Sequence, residues 1–387
     1  MNLDRRVWVV VSANFVAVAA RMSLVTFLGI YFVRHAGIAL GTVGVAFLCE
    51  SLMRGLAAPM FGALSDRIGR RSLLIASALA TAAVLPCFLL VDGPAVLIAW
   101  SLALGLTGAV NMPVASALLL DLAPAERRQS VLALNYTAMS VAYTLGVMPA
   151  GYVAQRGYGL LAAVSAAGYL LVAALYSAAL RSPLALERAR GASVLRDTVS
   201  AFADARFLGF ASLALAFPLS MGMVVTASPL FAADRGLGEG YIGLVLGGNS
   251  ILVAAAALPV AARIEPMGPF RLLGAAAIVV ALAFLCYGLV PDAAAALFVG
   301  TVIFSFGEIV FSSAVPAAVA RLAPPGARGA YQGGWALVAS LSMGSALVLS
   351  SFLRDAAGWG GAWIAFAALA AAAGAAFVLL RGRFSGL

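Results

Sequence analysis

Apolar runs of about twenty residues or more recur along the whole chain, and the short intervals between them carry most of the charge. A helix needs about 20 apolar residues to cross roughly 30 Å of hydrocarbon. The pattern predicts twelve such spans. Six are Val7–Phe32, Gly41–Phe61, Ser72–Val91, Ala95–Leu120, Val131–Val153 and Gly159–Leu180. After a polar interval come Phe207–Ala232, Tyr241–Ala262, Leu272–Val290, Ala293–Ala320, Ala330–Leu353 and Ala362–Leu380. The first run follows Arg5 and Arg6 as a signal peptide would, but it is too long and carries Arg21, so it reads as a retained helix.

Composition agrees. The chain is 64% hydrophobic and 10% charged, against about 25% charged in a soluble domain. This implies an integral membrane protein. Net charge is +9 and all 24 cations are arginine. Eighteen of them fall in loops on the side of the N-terminus, four on the opposite side and two inside spans. Positive charge stays cytoplasmic, so both termini are expected there, and the net charge needs no nucleic acid to explain it. The longest polar interval, Arg181 to Arg206, reads as a cytoplasmic linker with a short helix at Ser193–Ala203. The expected fold class is thus an all-α membrane protein of twelve transmembrane helices in two pseudo-symmetric six-helix bundles, residues 1–180 and 207–387, joined by 181–206.

The halves echo each other about 200 residues apart. Leu122-Ala123-Pro124 recurs as Leu322-Ala323-Pro324, and Arg128 as Arg328. GALSDRIGRRSLL (Gly62–Leu74) aligns with AARIEPMGPFRLL (Ala261–Leu273), matching Asp66 to Glu265 and Gly69 to Gly268. Parallel six-helix halves are a transporter architecture.

The loop GALSDRIGRR, Gly62 to Arg71, resembles the signature loop of the major facilitator superfamily at every defined position, G-x-L-S/A-D-R-x-G-R-R/K. The resemblance extends over the chain through the span count, linker and repeat. It implies a transporter with a conformational latch made of Gly62, Asp66, Arg67, Gly69, Arg70 and Arg71, the glycines allowing a tight turn and close helix approach. In the family the acid and the final basic residues form a relay with an acid ending the fourth span, a place that Asp121 fits. The other reading is that these arginines only set topology. A narrower resemblance joins Phe304 to Gly333 to the tenth span and following loop of bacterial drug:proton antiporters, through Gly307-Glu308, Pro316 and Arg328-Gly329-x-Tyr331. The fifth span departs from that branch: it reads GVMPAG, Gly146 to Gly151, in place of Gly-Pro-x-x-Gly-Gly.

Four charges sit well inside spans: Arg21, Glu50, Arg54 and Glu308. Insertion scales charge about 2.5–3.5 kcal/mol for such a residue at mid-helix, so each needs a partner or a use. Glu50 and Arg54 are four apart and share a helix face. With Arg21 they form either a fixed ion-pair cluster or part of the transport route. Glu308 has no cation near it in sequence, and its counterpart 200 residues earlier is Gly108. A buried carboxyl without a partner neutralises rather than staying charged. Glu308 therefore either handles a proton or substrate, or is a structural group bonded to a neighbouring helix.

In the superfamily the first, fourth, seventh and tenth spans line the central cavity. Here they offer Asn14, Thr26, Asn111, Met221, Thr226, Ser305 and Ser312 beside the charges. Five Asn and three Gln in the whole chain make a poor sugar site, because each buried unpaired hydroxyl costs about 1–3 kcal/mol. Apolar walls with methionine and one acid suit hydrophobic or cationic amphiphiles. No nucleophilic triad, metal set or phosphate loop points to an enzyme. Cys49, Cys87 and Cys286 lie in apolar runs without metal spacing, and His35 is a loop residue.

The reading is a proton-coupled exporter in a bacterial cytoplasmic membrane. It uses no cofactor beyond the proton gradient, and its partners are a small-molecule substrate and the bilayer, with the chain acting as a monomer. The alternatives are an uptake symporter or uniporter whose Arg21 binds a small organic anion, and a non-transporting membrane sensor.

Overall fold

An apolar segment in hydrocarbon must satisfy its own backbone polar groups, and a helix does so within one segment. The computed structural model describes residues 4–124, 127–179, 201–264, 267–324 and 327–380, and they are almost wholly helical.

The first part holds α1 (Arg5–Ile30), continued by a π-helical turn at Tyr31–His35, then α2 (Leu40–Ile68) and α3 (Arg70–Val84). The span after them is made by α4 (Pro94–Gly108) and α5 (Asn111–Leu122), followed by α6 (Arg128–Arg156) and α7 (Tyr158–Ala179). Another composite span comprises α8 (Ala205–Ala214), α9 (Ala216–Gly222), a π turn at Met223–Ala227 and α10 (Ser228–Asp234). It is followed by α11 (Glu239–Ile264), α12 (Pro269–Leu289), α13 (Ala293–Leu322) and α14 (Arg328–Leu379). Aspartates open three of these helices: Asp4, Asp204 and Asp292 accept backbone N–H bonds from Arg6, Arg206 and Ala295, which satisfies donors that a helix start leaves free.

Eleven helices among the described residues are long and apolar enough to cross a membrane. The difference from the expected twelve lies in α14, which holds the last two predicted spans. At 1.5 Å per residue its 52 residues would reach about 78 Å, more than twice the hydrocarbon depth. It does not run straight. Gly358 has φ 68° and ψ 176°, a conformation outside the helical region that glycine adopts without a Cβ clash. On each side of it a length sufficient for one crossing remains.

Backbone punctuation repeats along the chain. Among the described residues the six glycines with positive φ pair as Gly37 with Gly236, Gly69 with Gly268 and Gly157 with Gly358, each pair about 200 residues apart. Pro59 inside α2 and Pro259 inside α11 keep the same spacing. The expected linker and its helix lie outside the described residues, apart from one 3-10 turn at Ala201–Ala203. Glu265, matched to Asp66 in the repeat, also lies outside them.

Two compact units emerge, and neither is a simple half of the chain. One takes residues 1–39, 49–191 and 238–248; the other takes 40–48, 192–237 and 249–387. In the first, α1 packs along α6 and α7, and its Leu24, Phe27 and Ile30 are buried. In the second, α12 packs against α13 and α14, and Phe207, Phe210, Phe217, Phe270 and Phe377 form an aromatic core.

Candidate functional site

In the first unit three charges meet. Arg21 of α1 donates to Glu50 of α2 through Nη2. The other carboxyl oxygen of Glu50 lies 3.6 Å from Nη2 of Arg54, one turn along. The Arg21 and Glu50 side chains are only 11% and 12% exposed. Glycine permits this placement: a Cβ on Gly105 of α4 would come within 2.4 Å of the Glu50 carbonyl oxygen. A Cβ on Gly108 would lie 3.1 Å from Nη1 of Arg21. The guanidinium thus occupies the region beside the position that corresponds to Glu308 in the repeat.

The asparagines predicted to face a cavity are bonded to one another. Asn14, 2% exposed, donates to Asn135 Oδ1 at 2.8 Å, and its own Oδ1 accepts from Asn111 and from the Tyr176 hydroxyl, each at 3.3 Å. One network thus joins α1, α5, α6 and α7. Asn135 and Tyr176, absent from the sequence prediction, complete it. Thr26 is also buried, with its hydroxyl on the Met22 carbonyl at 2.9 Å.

In the second unit Glu308 of α13 accepts a hydrogen bond of 3.0 Å from Asn249 Nδ2 of α11. Among the described residues no cation pairs with it. Asn249 Oδ1 in turn accepts from the Ser305 hydroxyl, which also lies 2.9 Å from the Thr301 carbonyl oxygen. Ser305, expected to line the central cavity, is fully buried and tied to Asn249. Its spacing of three from Glu308 puts both on one face of α13, within reach of a single amide. Thr226 is partly exposed and Ser312 exposed, with their hydroxyls on the Gly222 and Ile309 carbonyls one turn earlier in their own spans at 2.7 and 3.1 Å. Met221 is partly exposed as well, within the composite span. No motif or charge pattern in the sequence marks Asn249. An amide in the middle of an apolar span is nonetheless a signal, because polar groups there need a partner or a use.

The signature loop is built around Gly69, which turns the chain between α2 and α3 with φ 93° and ψ 133°. Gly62 does not share that task. It lies inside α2, and a Cβ there would meet nothing within 4 Å. Arg70 donates to Asp121 at the end of α5. Arg71 instead donates to the Ser177 carbonyl of α7 at 2.9 Å. Arg67 is exposed, and the Asp66 side chain lies outside what is described.

Comparison with known proteins identifies the surroundings of these sites. The family model described as Major Facilitator Superfamily matches residues 10–238 and 208–384. A Na(+), Li(+), K(+)/H(+) antiporter of Planococcus maritimus is 30% identical over 127 residues, 31% of this chain and 29% of that protein. The class C tetracycline resistance protein of Escherichia coli is 38% identical over 134 residues, 34% of this chain and 31% of that protein. The chain thus matches about three-tenths of the length of these curated relatives. The crystal structure of the nucleoside transporter NupG superposes with a TM-score of 0.82 at 13% identity, covering 98% of this chain and 99% of that one. At that identity the likeness concerns the fold.

Proposed function

Because the chain belongs to the Major Facilitator Superfamily and is a multi-pass membrane protein, we propose that it is a proton-coupled secondary transporter that exports small hydrophobic or amphiphilic compounds by alternating access. In this reading the two arms of α14 cross separately, for twelve spans in all; the kink at Gly358 supports it. The arginine asymmetry supports a bacterial cytoplasmic membrane with both termini inside. The chain works as a monomer, and its energy source is the proton gradient.

The observation that carries the proposal is the environment of Glu308, which meets an amide in place of a cation. A carboxyl in low-dielectric surroundings with only a dipole opposite can be occupied or vacated by a proton without breaking an ion pair. The two relatives, one a cation/proton antiporter and one a tetracycline resistance protein, support antiport. The uptake alternative has less behind it. It asks Arg21 to take a substrate carboxylate, yet Arg21 already holds Glu50.

The test uses proteoliposomes with a pH-sensitive dye inside and a panel of amphiphilic probes that includes tetracycline. Wild-type protein is expected to dissipate a proton gradient when a transported probe is added. Glu308→Gln is expected to insert and fold normally and to lose this response entirely. Full proton-driven flux in that variant would exclude the role.

A further inference from the structure

Glu308 is held by a contact that has its own orienting group. A side-chain amide can present either oxygen or nitrogen to a neighbour. Ser305 Oγ lies within hydrogen-bond reach of both Asn249 Oδ1 and the Thr301 carbonyl oxygen, and its one proton, given to Oδ1, leaves Nδ2 facing Glu308. The amide therefore donates to the carboxyl instead of offering it an acceptor. A donor of this kind favours a carboxylate over the protonated acid. No other polar contact to the Glu308 carboxyl occurs among the described residues.

Among the described residues, the other ionisable groups on the helices of this unit are engaged elsewhere or lie towards helix ends, as Asp292 and Arg321 do at the two ends of α13. On α12, Tyr287 shares a 2.7 Å bond with Thr301 Oγ1, Cys286 is a free thiol, and Arg271 lies in the first turn. On α11, Arg263 bonds the Pro259 carbonyl. Arg354 of α14 pairs with Asp234 of α10 and with Asp355, Arg235 lies over the Phe231 ring, and Arg206 opens α8 beside Asp204.

We infer that Asn249 is a positioning residue for Glu308: its amide, turned by Ser305, supports the carboxylate and so sets the pH at which Glu308 releases its proton. This rests on the reading of Glu308 as the proton-carrying acid and adds a residue that no sequence motif marked. Asn249 touches neither substrate nor proton in this role. It acts through Glu308.

The experiment is an infrared titration of the carboxylic C=O band of the purified full-length protein in lipid nanodiscs, with the proton itself as the probe. Loss of the band in Glu308→Gln assigns it. In Asn249→Leu the midpoint is expected to move alkaline by about one to two pH units, the equivalent of one lost hydrogen bond to a charged group. Ser305→Ala removes only the orienting hydroxyl. It should move the midpoint the same way by less, and it serves as the test where Asn249→Leu does not fold. Asn249→Gln, which keeps the donor, should return the midpoint most of the way to its wild-type value. A midpoint unchanged from wild type in whichever of the first two variants folds overturns the inference. The transport assay separates the two ideas. A shifted midpoint with proton-driven flux intact in Glu308→Gln sinks the proposed function and leaves the positioning role standing.

Discussion

The two compact units each place a carboxyl group in a membrane-spanning helix, and they neutralise it by different means. In the first, Glu50 meets Arg21 and Arg54. In the second, Glu308 meets the amide of Asn249. The repeat makes the contrast pointed. The residue about 200 positions after Arg21 is Met221, and the one about 200 before Glu308 is Gly108. The Glu308 place in the repeat thus lies beside a cation in one half and, in the other, holds an acid that no cation pairs with among the described residues. An ion pair offsets the cost of bringing charge out of water, but only while both members stay charged. An amide makes no such demand. The first arrangement is suited to holding helices together, and the second to changing protonation.

The contrast breaks most severely through Glu50. Removing one member of a buried pair leaves the other uncompensated, which costs about 3–5 kcal/mol. Glu50→Gln is therefore expected to lower folded yield and melting temperature in detergent sharply, as read by fluorescence-detected size exclusion after heating. Glu308→Gln, replacing a carboxyl whose partner can bond an amide equally well, is expected to melt close to wild type while losing proton-driven flux. If Glu308→Gln proves the less stable of the two, the assignment of one acid to structure and the other to coupling is wrong.

A sharper form transplants the second arrangement's acid into the first. A Cβ at Gly108 would lie 3.1 Å from Nη1 of Arg21, a tight contact to the far end of a flexible side chain, so a glutamate there meets the guanidinium that Glu50→Gln abandons once Arg21 shifts to receive it. The double variant Gly108→Glu with Glu50→Gln is expected to recover about 1–2 kcal/mol relative to Glu50→Gln alone, the scale of one charge-assisted bond. Equal or lower thermal stability in the double variant would show that a carboxyl at position 108 does not stand in for Glu50 against Arg21.

Much of this is legible in the chain before its fold. Run length finds the spans because hydrocarbon depth sets helix length. The signature loop is readable because Gly69 must adopt a positive φ between two helices. The Glu50 and Arg54 pairing follows from helical spacing alone. What stays hidden depends on contacts between distant segments. Nothing local ties Asn249 to Glu308, fifty-nine residues away. Likewise, only packing decides that Arg70 takes Asp121 while Arg71 takes the Ser177 carbonyl. Gly62 shows the converse error. A glycine in a loop motif suggests a turn, yet this one lies within a helix with open space around it.

A third acid, at the edge of the membrane spans, calibrates the other two. Asp204 caps α8 and accepts a 2.7 Å bond from the Tyr331 hydroxyl of α14. Burial pushes this carboxyl up, but the bonds from Tyr331 and from the backbone N–H groups of Arg206 and Phe207 outweigh it and hold it below the usual carboxylate range. A carboxyl held low in the folded state stabilises the fold above its unfolded value, near ~3.9, and that contribution disappears as pH falls through the folded value. Tyr331→Phe is therefore expected to cost about 1 kcal/mol or less at neutral pH. The gap in melting temperature from wild type should close as the pH is taken below about 4. Asp204 titrates with water nearby, so this small effect with its acid limit is what an ordinary hydrogen-bonded carboxyl shows. A gap that persisted undiminished in acid would mean that the Tyr331 ring, packed on Phe207 at 5.1 Å, supplies the stability and not its hydroxyl.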